Sequence, residues 1–406
     1  MRLSTSRLFE LAREHGDSFY VLDLDRFRAN YRDFTGAFSK HYPNVRLAYS
    51  YKTNYTPAIC EAVRDLGGYA EVVSIMEHDL ALRLGNTPAD VIFNGPLKRM
   101  ADLECALLGG ALVNIDAPYE LDIIDRIAAR NAQQLRVGLR CNFDIGRPSR
   151  FGLSAEGVAG AVERLRTHAN VRIAALHCHY DTPQRSLESF THRAETMIRL
   201  ANQHGLVESL EMIDLGSGFF SRMPEELRAT FDYHVPTYEE YGETIGRIFA
   251  SHFPNGGPRL VLEPGKPIVA DAMYFATRVM SVKHVAGVDW VQVAGSVYDV
   301  RPTKSARNLP VRHHGTSATP VRGHVVGFTC MEDDVLHRDY EGPAAPGDIL
   351  VFENVGAYTN VLRPPFILPA SPILAQEGDE IRLVRRADTI DDVLRSYVTG
   401  APAASD

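Results

Sequence analysis

Lys52 lies in Tyr49-Ser50-Tyr51-Lys52-Thr53-Asn54, at the end of the first strongly apolar run of the chain. A lysine amine among aromatic neighbours is a nucleophile toward an aldehyde and can form a Schiff base. A surface lysine at a strand end is the plainer reading. Leu176-His177-Cys178-His179-Tyr180-Asp181-Thr182 supplies a second group. Histidines at i, i+2 on a strand point the same way and could bind a metal, but no third ligand follows at an expected spacing. A structural pair is the alternative, and a ring stacked on a planar cofactor is the preferred use.

Three further stretches extend this chemistry. Gly216-Ser217-Gly218 follows Asp214, and closely spaced glycines let backbone N–H groups approach a phosphate, although a lone GxG is often just a turn. Glu263-Pro264-Gly265 offers a carboxylate that can pair with a pyridinium nitrogen; a helix start before proline is the bland reading. Cys330, in Gly327-Phe328-Thr329-Cys330-Met331-Glu332-Asp333-Asp334, is a structural thiol beside an acidic turn or, next to a cofactor, a proton donor. Tyr358 stands in Val355-Gly356-Ala357-Tyr358-Thr359.

These groups need elements to hold them. Apolar runs rich in β-branched residues cover 45–52, 69–74, 90–95, 112–116, 135–141, 173–179, 210–215 and 259–263, each readable as a strand. Amphipathic stretches between them, at 56–66, 75–84, 100–108, 118–131, 186–204 and 238–253, are long enough for helices. Doubly buried strands alternating with helices are what a parallel (β/α)8 barrel requires. The competing doubly wound open sheet lacks its Gly-rich fingerprint after the first strand. A barrel places active-site groups at the C-terminal ends of its strands, with phosphate often bound after strands seven and eight.

Beyond residue 271 the texture changes to strand-like runs at 278–285, 290–294, 321–328, 348–354 and 380–385, which predicts a separate β-sandwich or β-barrel domain. The barrel is expected over 26–272, with residues 1–25 joining 273–406 in the β domain. A short helix is expected at 388–397, and the small, polar tail 400–406 at the surface. The chain of 406 residues, 45% hydrophobic, can bury a large core. Its net charge of −8 and its lack of any basic block argue against nucleic acid or a membrane surface and leave a small-molecule substrate. Five scattered cysteines without a CxxC pair fit a reducing cytoplasm. Neither an export signal nor a membrane span is expected.

Taken together, these stretches resemble the alanine-racemase-fold decarboxylases that use pyridoxal 5'-phosphate, the group containing diaminopimelate and ornithine decarboxylases. The resemblance runs in order through nearly the whole chain. It implies that Lys52 carries the cofactor, that His179 stacks on its ring, and that Glu263 pairs with the ring nitrogen. Gly216, Ser217 and Gly218 would cradle the phosphate, with Thr182, Gly265 and Tyr358 also at the cofactor. Glu71 and Arg140 match positions that support the lysine and cofactor. Cys330 matches a cysteine supplied by the partner subunit as a proton donor, and Arg150 and Asp334 match a pair formed across the dimer. The active unit would be a homodimer with shared sites.

The departures from the family pattern fall around the substrate. Met331 replaces the acid that follows the cysteine and binds the distal amine of lysine, ornithine or diaminopimelate; Glu332 and Asp333 compensate only if the loop shifts. Lys266 replaces the Arg of Glu-Pro-Gly-Arg, Ser305 replaces a Tyr, His-Tyr-Asp-Thr replaces His-Ile-Gly-Ser, and Arg363-Pro364-Pro365-Phe366 replaces a stretch of small residues. The expected function is therefore a decarboxylase acting on an amino acid or conjugate with an acidic or bulky distal end, such as a siderophore or antibiotic intermediate. Arg301, which keeps the family's Arg-Pro pair, or His313 and His314 would read anionic groups. The alternatives are a racemase of the same fold, a plain diaminopimelate or ornithine decarboxylase, and an inactive regulatory homologue. Glu263 speaks against the racemase, since the fold's racemases carry an Arg at the ring nitrogen.

Overall fold

The computed structural model describes residues 3–302 and 307–398; Ser305 and the tail 400–406 lie outside them. The chain divides into two compact units, Leu24–Asp271, and Met1–Asp23 together with Ala272–Asp406. Strands are numbered along the chain, and β1 (Ser18–Asp23) belongs to the second unit.

In the first unit, β2 (Val45–Ser50), β3 (Tyr69–Val72), β4 (Val91–Phe93), β5 (Leu112–Ile115), β6 (Leu135–Arg140), β7 (Val171–His177), β8 (Met212–Asp214) and β9 (Arg259–Leu262) close a barrel. All eight neighbouring pairs are parallel. The eight apolar runs are these strands, and the expected barrel is present. The first run, however, is strand only to Ser50; Lys52 sits in a 3-10 turn, Tyr51–Thr53.

The six expected helices form with no end shifted by more than one residue. Hydroxyl side chains set several starts: Ser74 accepts the Glu77 N–H, Ser186 that of Ser189, and Thr237 that of Glu240. Helices Thr5–His15, Leu24–Ser39 and Ala155–Leu165 fall outside the stretches named from sequence.

The side-chain period of two along each strand sorts the barrel interior into layers. One layer is apolar, formed by Ala48, Tyr69, Ile92, Leu112, Ala175, Met212 and Val261. Two residues further along the same strands stand Ser50, Glu71, Asn94, Asn114, His177, Asp214 and Glu263, all buried. The apolar layer thus floors a polar one at the C-terminal ends of the strands.

The second unit is built on one mixed nine-stranded sheet, ordered β14-β13-β11-β10-β1-β16-β17, with β15 pairing β10 and β12. Its remaining strands are β10 (Met273–Val285), β11 (Val288–Val293), β12 (Val311–His314), β13 (Pro320–Val326), β14 (Val335–Pro343), β15 (Ile349–Phe352), β16 (Ile373–Glu377) and β17 (Glu380–Arg385). N-terminal β1 lies between β10, antiparallel, and β16, parallel. Phe19 and Val21 of β1 pack with Leu8, Leu11, Tyr274, Val351 and Leu374. The C-terminal helix is shorter than expected, Ile390–Leu394.

One helix cap in the barrel carries a titration. Glu77 Oε2 accepts the Val73 N–H at 2.7 Å, and burial raises its carboxyl to about 7, with Glu71 adding to the shift. A carboxyl whose folded pKa exceeds its unfolded value contributes stability below the unfolded pKa and loses it as pH rises through the folded one. Glu77→Gln removes that loss. Its stability relative to the parent should rise by about 2–3 kcal/mol between pH 5 and pH 9, read by urea unfolding; a pH-independent difference would contradict the assignment.

Candidate functional site

The polar layer is a continuous hydrogen-bonded chain. Lys52 Nζ reaches both oxygens of Glu71, at 2.8 and 2.6 Å. Asn94 Nδ2 donates to Glu71 Oε1 (3.0 Å) and also to Glu263 Oε1, while Asn94 Oδ1 accepts from Asn114 Nδ2 at 2.7 Å. On the far side of Glu263, Oε2 lies 2.9 Å from His179 Nδ1 and Oε1 lies 3.4 Å from His177 Nε2. Lys52, Glu71, His179 and Glu263, picked out separately along the sequence, are thereby joined. Spacing alone offered the histidines no third ligand; the fold brings Glu263 from β9, with one ligand atom of each residue within 4.8 Å of the others.

Charge in this layer is settled by neighbours. Burial works to raise the Glu263 carboxyl, but His177 and His179 outweigh it and hold the group well below the usual carboxylate range. Asp214, also fully buried, goes the other way: burial first, then the Glu263 charge, push it well above its ordinary value. Two adjacent buried carboxyls cannot both ionise, so Glu263 takes the charge and Asp214 the proton. Burial also lowers the His179 pKa, with Lys52 and Arg140 adding to the shift and Glu263 opposing it.

The loops beyond the strands add the remaining groups. Gly216 and Gly218 have φ of 66° and 110°, and a Cβ at Gly216 would run into the Cys178 carbonyl and the His179 backbone. Asp214 Oδ1 accepts the Gly216 N–H at 2.8 Å, and the Ser217 N–H faces His179 Nδ1 at 3.4 Å. Thr182 Oγ1 is buried without a hydrogen-bond partner. Arg140 pairs with Asp116 at 2.8 Å. Gly265 abuts the lysine turn, where a Cβ would meet the side chains of Thr53 and Ser50; that close approach requires glycine. Sequence reasoning missed Asn94, Asn114 and Asp116. The signal that finds them is the register: each lies two or four residues beyond a residue of the apolar floor.

The β unit holds the other candidates. Cys330 is an exposed free thiol, and the remaining four cysteines are free as well. Its loop is clamped by Asp334, whose two oxygens accept the N–H groups of Val297 (2.7 Å) and Thr329 (2.9 Å). Asp334 is thus bonded within its own chain, and the Arg150 guanidinium stacks on Phe151. The Met331 sulfur accepts from Tyr298 Oη at 3.6 Å, and Tyr298 meets Phe366 edge-on. Glu332 and Asp333 are exposed. Tyr358 is half-buried with φ 62°. Arg301 donates to the Arg307 and Val335 carbonyls, His313 pairs with Asp348 at 2.9 Å, and His314 with Thr5. The basic groups expected to read an anion are engaged inside the unit.

The family model for the pyridoxal binding domain of pyridoxal-dependent decarboxylases matches residues 25–270. The chain belongs to this family. Diaminopimelate decarboxylase of Methanothermobacter thermautotrophicus is 29% identical over 95% of this chain and 92% of its own. The L-glutamyl-[BtrI acyl-carrier protein] decarboxylase of Niallia circulans is 24% identical over 98% and 97%. Among solved structures, diaminopimelate decarboxylase from M. jannaschii superposes with a TM-score of 0.87 at 22% identity, covering 97% of this chain and 94% of that one. The Helicobacter pylori enzyme gives 0.84 at 24%, over 95% and 98%.

This family member is a pyridoxal-phosphate-dependent amino-acid decarboxylase. Its barrel suits the cofactor on its own evidence: a glycine cradle closed to side chains, an unpartnered Thr182 hydroxyl, an ionised Glu263 and a lysine on a buried acid. No helix among the described residues is long and apolar enough to cross a membrane.

The proton on Asp214 makes a prediction. Asp214→Asn retains a donor and an acceptor in the same shape and should unfold within about 1 kcal/mol of the parent, whereas Asp214→Ala, leaving the Gly216 N–H unpaired, should lose about 1–3 kcal/mol. Equal losses in urea unfolding at pH 7 would show that Asp214 is ionised.

Proposed function

We propose that the enzyme decarboxylates an amino acid whose distal end is bulky and uncharged, in sites completed by a second copy of the chain. The observation that carries the substrate reading is Met331. Where the family pattern has an acid for a distal ammonium, this chain has a thioether against Tyr298, with Phe366 beyond. An ammonium placed there would forgo a charge-assisted hydrogen bond of about 1.5–3 kcal/mol. The relative named for an L-glutamyl group on an acyl-carrier protein supports a conjugated amino acid as the substrate class, including the intermediates of siderophore or antibiotic assembly.

Pyridoxal phosphate, when bound, supplies an aldehyde for amines and a ring that takes up the electron pair released as the α-carboxylate leaves. Lys52 provides the amine, and Glu71 holds it at the barrel mouth. Glu263, kept ionised by its two histidines, would hold a proton at the ring nitrogen. His179 would lie against the ring. The 216–218 loop, through the Ser217 and Gly218 N–H groups since Asp214 holds that of Gly216, would take the phosphate together with the Thr182 hydroxyl. Cys330 of one copy would return a proton to the substrate carbon in the other copy's site, which accounts for an exposed thiol on a clamped loop.

Two measurements test these readings. The purified protein should release CO2 from diaminopimelate, lysine or ornithine at least about tenfold more slowly than Met331→Asp does, since that variant restores the charged contact. Efficient turnover of diaminopimelate by the parent would make it an ordinary diaminopimelate decarboxylase. Separately, Lys52→Ala and Cys330→Ala should each be inactive, while the two co-expressed should recover about a quarter of parental activity, because half of random dimers carry one intact site of two. No recovery would rule out the shared site.

A further inference from the structure

Arg193, on the helix Leu187–Gln203, is fully buried. Its Nη1 donates to the Ser217 carbonyl at 2.9 Å, while Nε and Nη2 have no hydrogen-bond partner among the described residues. The guanidinium packs on the rings of Phe190 and Tyr180, 4.3 and 5.5 Å from their centroids. A Cβ at Gly218 would stand 3.6 and 3.8 Å from Nη1 and Nη2, so the charge lies directly beneath the 216–218 loop. A guanidinium stays protonated in a protein, and burying one without an anion is costly. Stacking on two aromatic faces offsets part of that cost.

Two consequences follow from this placement. In a trans peptide the C=O and N–H point in opposite directions. With the Ser217 carbonyl turned onto Arg193, the Gly218 N–H is turned to the opposite side of the loop, away from the guanidinium. The positive charge itself sits one peptide layer behind that N–H, where an anion on the outer face of the loop would feel it through low-dielectric surroundings.

We propose that Arg193 is a positioning residue and buried counter-charge for the cofactor phosphate, acting through the Ser217–Gly218 peptide without touching the ligand. The inference rests on the assignment of the phosphate to residues 216–218. It explains why a guanidinium is tolerated in an otherwise apolar and aromatic pocket: the missing anion arrives with the cofactor. A purely structural arginine would contribute equally with and without it.

The test compares binding of pyridoxal phosphate with binding of pyridoxal, which lacks the phosphate, to cofactor-stripped protein by absorbance titration, alongside thermal unfolding of both forms. Arg193→Met should weaken pyridoxal phosphate about 10- to 100-fold and leave pyridoxal within about threefold. The stripped variant should melt no lower than the stripped parent, while the rise in Tm on adding pyridoxal phosphate shrinks. Arg193→Lys, which keeps the charge, should lose less discrimination than Arg193→Met and covers the case in which the methionine variant fails to fold. Loss of Tm by the same amount in both forms, with phosphate selectivity intact, overturns the proposal. Gly218→Ala separates the two readings. If it abolishes phosphate discrimination while Arg193→Met does not, the loop assignment stands and the role of Arg193 falls; if neither variant alters discrimination, both fall.

Discussion

Two carboxylates that belong in water, Glu71 and Glu263, are fully buried in the barrel, and the site depends on how that burial is tolerated. Each ionised oxygen needs a donor, or the group would neutralise. Lys52 serves Glu71, His179 serves Glu263 with His177 3.4 Å away, and Asn94 joins the acids by giving one N–H to each. A carboxamide is the neutral side chain that offers two donors on one atom. Its own oxygen is taken by Asn114, so Asn94 has no rotational freedom. The amine at one end of the chain and the imidazole at the other, each just past a strand end, are therefore fixed relative to each other by the two acids and one amide between them.

The same network decides which acid is ionised. Asp214 and Glu263 are both buried, and a solvated pair would both be charged at neutral pH. Here the histidines lie on the Glu263 side, while Asp214 has the Gly216 N–H. One N–H cannot hold two negative charges next to each other, so the proton settles on Asp214. The carboxylate that the histidines and Asn94 face is the charged one.

The barrel was readable because its strands are buried on both faces, which leaves long apolar runs that no turn interrupts. The site residues were readable where their chemistry is unusual for a strand end: a lysine, a pair of histidines, an acid before proline. Asn94 and Asn114 carried no such mark, since a lone asparagine within an apolar run reads as a polar interruption of it; register against Ile92 and Leu112 is what gives them meaning. In the β unit, β14 escaped notice because its exposed positions carry Arg, Asp and Glu among the apolar residues, and β12 because Val311 is its one aliphatic residue, so hydrophobicity alone underrates them. Arg301, His313, His314 and Asp334 were read as available to an anion or a partner, and the fold gives each a hydrogen-bond partner within its own unit. Charge and spacing identify a group able to bind an anion or a partner, but partners within the chain had already taken these, and only the fold reveals such competition.

That competition also sets how the two units hold their loops. The layers facing the cofactor rest on strand register, where a substitution disturbs several hydrogen bonds at once. The β unit's loops are held instead by single clamps, Asp334 under Cys330 and the buried Asp299–Arg363 pair under 363–369. Arg363 spans from Asp299 to the Pro369 carbonyl, and Ile367 is held at φ 65°, a conformation a β-branched residue adopts only under constraint. Such a loop keeps its shape while Phe366, Ile367 and Leu368 remain exposed. A clamp that fixes the backbone and leaves the tip to solvent lets the tip residues vary while the loop keeps its course, because the hydrogen bonds that hold it come from Asp299 and Arg363 and not from the tip.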